Sequence, residues 1–160
     1  MDSKVKGLKI HHVGYVVSDL ENTVKHFKEF YGINDFQFYD FKPGTAWSYG
    51  EIVDGYNLKI AMGTMPSGTA NIEIIKPIEG EGVHKEFIAA GNNGYHHICY
   101  AVDEGYEDLR EHFENEGARF VFESETEDDV IGYRRCFYAE DPNAGVIFEI
   151  KETPYFRKGK

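Results

Sequence analysis

Residues 10–20 read IHHVGYVVSDL, and residues 95–105 read YHHICYAVDEG. Laid over one another, His11-His12-Val13-Gly14-Tyr15-Val16-Val17 and His96-His97-Ile98-Cys99-Tyr100-Ala101-Val102 agree in character at nearly every place, and each copy carries a double histidine. A sentence written twice is the mark of a duplicated unit, and a duplicated unit decides the architecture before any single residue is given a role.

The same succession of elements follows each copy. An apolar strand over 10–17 or 96–102 leads through an acidic turn into a helix. In DLENTVKHFKEFYG, Leu20, Val24, Phe27 and Tyr31 recur at helical spacing, with Asp19 placed as N-cap and Gly32 as stop. EDLREHFENEGA repeats the pattern with Leu109, Phe113 and a closing Gly117. Three β-like runs come next: FQFYDF, YNLKIAMG and NIEIIK in the first half, RFVFES, RRCFYAE and VIFEIK in the second. The expected class is α+β, with two tandem βαβββ modules over 8–78 and 95–152, a linker helix within 79–94, and a tail over 153–160.

Composition narrows the function classes. A chain of 160 residues, 41% hydrophobic and 15% aromatic, can bury a real core and fits one domain or two small fused modules. No apolar run approaches the ~20 residues of a membrane span, and MDSKVKGLK lacks the apolar centre of a secretory signal. A cytoplasmic protein without a membrane partner is expected. The net charge of -11 argues against nucleic acid as a partner, so an anionic substrate would need a local basic patch. Cys99 and Cys136 lie far apart and are read as reduced, half-buried small residues.

Period two assigns faces to the opening strands. Ile10, His12, Gly14 and Val16 share one face, and His97, Cys99 and Ala101 share its counterpart. Small residues beside a histidine leave space, as a cavity wall does, which selects His12 and His97 for chemistry. In NIEIIKP and VIFEIKE, Glu73 and Glu149 each interrupt a buried apolar pattern. An ionised carboxylate there costs several kcal/mol unless it is paired or bound to a metal. Two imidazoles and two carboxylates, one of each from each half, make a ligand set for one divalent ion: zinc, cobalt, nickel or manganese, with iron less suited. Four protein donors on a six-coordinate ion leave two positions open, as in a catalytic rather than a structural site.

At these residues the chain resembles the vicinal oxygen chelate superfamily, which includes glyoxalase I, methylmalonyl-CoA epimerases and extradiol dioxygenases. GYHHICYAVD, NIEIIKP and GVIFEIKE are most similar to the epimerase motifs. The resemblance spans nearly the whole chain. It implies two modules curved into a partly open β-barrel around a metal, with the four ligand positions on His12, Glu73, His97 and Glu149. It also implies a further carboxylate, upstream of the strand carrying Glu73, as one of two acid/base groups. The matching segment SYGEIVDGYNLKIA offers Glu51 and Asp54.

A metal that holds a carbonyl oxygen stabilises the charge formed when the neighbouring proton leaves. Glu149 can take that proton; returning it to the opposite face gives epimerisation, and returning it to the next carbon gives the glyoxalase I outcome. The substrate is expected to be a small carbonyl compound or thioester, and the assembly a homodimer. The loop KPGTAWSYGEIVDGY is read as a flexible aromatic cover with Trp47 and Tyr49 facing substrate. Of the adjacent Arg134 and Arg135, at most one points inward, and Arg135 is taken as the substrate contact. Glutathione hemithioacetal lyase, ring-cleaving dioxygenase and metal-free binding protein stand as alternatives; the last two fit the four-ligand set worst.

Overall fold

The computed structural model describes residues 4–157. The first half runs β1 (Ile10–Val16), α1 (Leu20–Tyr31), β2 (Gln37–Phe41), β3 (Thr45–Ser48), β4 (Glu51–Val53), β5 (Asn57–Thr64) and β6 (Asn71–Glu79). Helix α2 (Val83–Ala89) leads to β7 (Gly94–Val102), α3 (Tyr106–Asn115), β8 (Arg119–Asp128), β9 (Gly132–Glu140) and β10 (Ile147–Glu152). The strands form one mixed sheet in the order β2-β5-β6-β1-β7-β10-β9-β8-β3-β4.

Within each half the first strand pairs in parallel with the last, β1 with β6 and β7 with β10, which requires a crossover. Helices α1 and α3 supply it. The Asp19 side chain accepts from the Asn22 N–H, and Gly32 ends α1 in the left-handed region at φ 70. Leu20, Val24 and Phe27 pack with Ile72 and Ile74 of β6. Tyr31, expected on the same stripe, is the last residue of the helix and remains exposed. In α3, Leu109 is buried, while Phe113 is partly buried beside Phe137 and Phe148. The two halves join where β1 meets β7 antiparallel.

The segment expected as a flexible cover is instead a β-hairpin. Ser48 pairs with Glu51 across Tyr49 and Gly50, whose φ values of 49 and 82 make the two-residue turn that suits strand twist. Its first strand, β3, joins β8 of the second half, so five strands rather than three follow α1. This pairing bends the whole sheet. Residues 42–44 alone separate β2, at one edge, from β3 near the other, and the links from Phe41 to Thr45 reach at most ~14 Å. The two sides of the sheet must therefore approach one another, and the sheet curls into a half-barrel with its cavity over the β1–β7 seam.

Candidate metal centre

Two rungs of the sheet build the site. On one, Glu73 of β6 lies beside Gly14 of β1, which lies beside His97 of β7. On the other, Glu149 of β10 lies beside Cys99 of β7, which lies beside His12 of β1. Each rung thus sets one carboxylate and one imidazole on either side of a small residue. At Gly14 the smallness is obligatory, because an added Cβ would stand 2.1 Å from His97 Cε1.

The side chains converge. His12 Nε2 lies 3.1 Å from Glu149 Oε2, 3.3 Å from His97 Nε2 and 3.4 Å from Glu73 Oε1. His97 Nε2 lies 3.2 Å from Glu149 Oε2 and 3.9 Å from Glu73 Oε1. All four residues are buried, and one donor atom from each lies within 4.8 Å of the others. An imidazole Nε2 offers one hydrogen or one lone pair, so it cannot satisfy three such neighbours. A cation among them can, and all of these spacings but the 3.9 Å between His97 and Glu73 match the edges of about 3.0–3.4 Å in a coordination shell with ~2.1 Å bonds. Burial lowers the basicity of His12, but Glu73 and Glu149 raise it and prevail. Burial likewise pushes the Glu149 carboxyl up, yet His12 and His97 hold it well below the usual range. The arrangement favours positive charge at its centre.

The double histidines have a structural reason that strand parity does not reveal. Strand β1 pairs Ile10 with Tyr100 and His12 with Cys99, leaving His11 as an extra residue; likewise Gly14 pairs with His97 and Tyr15 with Tyr95, leaving His96 extra. Both are β-bulges, which re-aim side chains. As a result His11 Nδ1 lies 2.8 Å from His12 Nδ1, and His96 Nδ1 lies 2.9 Å from His97 Nδ1. For the Nε2 atoms to carry free lone pairs, His12 and His97 must donate through Nδ1–H, and the leading histidines accept. Burial keeps those acceptors neutral, pushing His11 to about 4 and His96 to about 3.

Cys99 also lies near His11 and His12. Burial and the Glu149 charge push its thiol well up, away from the thiolate a metal takes. Cys99 and Cys136 are both free and buried, more so than the sequence suggested.

A cavity of about 190 Å³ opens over the donors, lined by His12, Glu73 and Glu149 among others. Its two walls are built from equivalent strands but differ in character. Tyr39, Phe41, Leu58 and Ile60 form the wall of the first half; Ser124, Thr126, Arg134 and Cys136 stand at the matching positions of the second, where Lys151 joins them. Arg134 shares the cavity face with Cys136 and Tyr138 and pairs with Asp128. Arg135 reaches the cavity rim, but its guanidinium lies over the Tyr106 ring and pairs with Glu107 and Glu152. Trp47 and Tyr49 lie on the hairpin and its turn, outside the cavity lining. Glu51 is exposed on β4, and Asp54 lines a separate cleft with Lys42 and Glu79. Tyr39, Tyr138 and Lys151 were not singled out by sequence. Lys151 could have been, since it stands two residues past Glu149 on the same face.

Residues 11–137 match the family model of the glyoxalase/bleomycin resistance protein/dioxygenase superfamily. The fold is similar to methylmalonyl-CoA epimerase from Mycobacterium tuberculosis, with a TM-score of 0.69 at 18% identity over 97% of this chain and 94% of that one. It is similar to a variant of the Streptomyces coelicolor methylmalonyl-CoA epimerase in complex with 2-nitronate-propionyl-CoA, with a TM-score of 0.63 at 18% identity over 92% and 99%. A hypothetical protein from Bacillus halodurans gives 0.61 at 21% identity over 96% and 100%. No curated protein matches the sequence. With the family match covering most of the chain and the ten strands curled as two joined modules, the chain belongs to the glyoxalase/bleomycin resistance protein/dioxygenase superfamily.

Proposed function

We propose that the chain is a divalent-metal-dependent epimerase or isomerase that moves a proton next to a carbonyl. The observation that carries this reading is the convergence of His12, Glu73, His97 and Glu149 on one buried point beneath a cavity. Their mixed nitrogen and oxygen donors suit zinc, cobalt, nickel or manganese. Such an ion, when bound, supplies Lewis-acid stabilisation of charge developing on a carbonyl oxygen. Glu149, buried and held ionised, is the acceptor for the departing proton and returns it. The apolar first-half wall holds a short acyl chain, while Lys151 and Arg134 on the opposite wall receive a negatively charged or polar group.

A cavity of about 190 Å³ accommodates the acyl end of a substrate rather than a whole coenzyme A ester. Trp47, Tyr49 and Arg135 would then touch the remainder outside. The epimerases of similar fold, one of them in complex with a CoA ligand, support a thioester or keto acid as substrate class. Glu51 or Asp54 would act as second acid/base group through movement of the β3–β4 hairpin. The reading extends to a homodimer in the cytoplasm.

Metal-loaded protein should exchange the α-hydrogen of a suitable compound for deuterium when screened in heavy water across acyl-CoA thioesters, keto acids and glutathione hemithioacetals. Metal-free protein should not. Absence of exchange across that panel by metal-loaded protein contradicts proton abstraction.

A further inference from the structure

A buried hydrogen-bond chain separate from the four donors runs from α2 to the cavity. His84 is wholly buried; its Nδ1 lies 2.6 Å from the Tyr56 hydroxyl and its Nε2 3.1 Å from the Tyr138 hydroxyl. Burial holds this imidazole well below its ordinary range, so it is neutral, with one N–H and one lone pair. One phenol must therefore give its hydrogen to the ring, and the other must receive one.

The surroundings decide which. Among the described residues the buried Tyr56 hydroxyl has His84 Nδ1 as its hydrogen-bond partner, while Tyr138 faces the cavity, where a further acceptor can enter. Glycines hold that ring in place: a Cβ on Gly80 would stand 2.6 Å from Tyr56 Cδ2, and one on Gly82 3.2 Å from the hydroxyl. With Nδ1 as the acceptor within its reach, Tyr56 directs its own hydrogen there. Nε2 then carries the ring hydrogen and donates it to the Tyr138 oxygen. The Tyr138 hydrogen is left for another acceptor.

Tyr138 lines the cavity, packs 4.7 Å from the His97 ring and sits opposite Glu149 in the β9–β10 ladder. At the equivalent place in the first half, opposite Glu73, stands Met62, which has no hydrogen to give. The other cavity tyrosine, Tyr39, lies on the first-half wall beside Glu73.

We infer that Tyr138 is a substrate-binding hydrogen-bond donor, directed by Tyr56 and His84 toward an oxygen of the bound substrate. Resting on the proposed function, that oxygen is the one on which negative charge develops, where a donor fixed in a buried site is most effective. Tyr56 and His84 are positioning residues, since they act through Tyr138.

Two measurements test the inference. Nitrogen-15 NMR of the metal-free wild type should find the His84 hydrogen on Nε2. A hydrogen on Nδ1 would reverse the chain, give the Tyr138 hydrogen to the ring, and overturn the inference. With cobalt-loaded protein, oxalate serves as a planar anionic probe, titrated by calorimetry and by the cobalt absorption band. Tyr138→Phe should bind cobalt like the wild type but bind oxalate about 10–100-fold more weakly, as expected for a lost hydrogen bond to a charged group. Equal oxalate affinity overturns the Tyr138 role. Failure of the wild type to bind cobalt would instead defeat the proposed function and with it the substrate role, while the His84 result still judges the direction of the chain.

Discussion

The two halves of the molecule are alike where the donors stand and unlike where a substrate would lie. Glu73-Gly14-His97 and Glu149-Cys99-His12 are the same rung written twice, each backed by a bulged histidine. Farther along the carboxylate strands and on the strands beside them the likeness ends: Met62, Ile60, Leu58 and Ile75 occupy the positions taken by Tyr138, Cys136, Arg134 and Lys151 in the other half. A spherical ion does not distinguish two equivalent sets of donors. A substrate with one apolar and one polar end does need different walls. Duplication supplied the symmetric centre, and divergence of the flanking strands supplied direction.

That comparison can be broken at several points. The largest effects belong to the donors: His12→Ala and His97→Ala should each weaken zinc or cobalt binding by at least about a hundredfold, beyond the usual loss for a supporting partner. Competition with a chromophoric chelator measures both. A loss at one histidine with none at its twin would show that the halves do not share the ion.

Acid should expose the buried imidazoles. Folded His11, His84 and His96 stay neutral below pH 6.5 while their unfolded counterparts take protons, so the unfolded state binds more protons and stability falls as pH drops. His12, raised, acts in the opposite sense in the metal-free chain: its contribution is present below 6.5 and lost as pH rises through its folded value. Three groups against one, with the half-exposed His11 contributing less, leave a loss of about 2–3 kcal/mol between pH 7.5 and 5.5. Urea unfolding at the two pH values checks this, and unchanged stability would mean that these rings are accessible to protons in the fold.

The rungs differ at their central residue. Gly14→Ala drives a methyl into the His97 ring and should cost about 1–3 kcal/mol as well as metal affinity. Cys99→Gly at the equivalent place removes atoms without a clash and should leave metal affinity nearly unchanged. Thermal melts with and without zinc separate the two. The smallest effects are expected on the hairpin, where Glu51→Gln and Asp54→Asn should leave metal binding within about twofold of the wild type, as for surface changes generally. A marked loss would place the hairpin over the centre in solution.

Much of this site could be read from the sequence because duplication constrains it. The repeat located His12 and His97, parity chose them over His11 and His96, and the carboxylates interrupting two apolar strands completed the set. Parity failed on the leading histidines because a bulge suspends alternation, and a bulge depends on pairing with another strand. The β3–β4 hairpin escaped because Tyr49 is unusual at the first position of such a turn and β3 finds its partner in β8, far along the chain. The Tyr56-His84-Tyr138 chain was hidden for a similar reason, since its links span 28 and 54 residues and leave no local pattern.

The proposed centre holds one divalent ion among two imidazoles and two carboxylates. X-ray absorption spectroscopy of the zinc- or cobalt-loaded chain, with the ion quantified per protein, tests it most directly. The expected result is one ion per chain, coordinated by nitrogen and oxygen only at about 2.0–2.2 Å, with two imidazoles in the shell. A sulfur neighbour at about 2.3 Å, or less than a stoichiometric amount of bound metal, would contradict it.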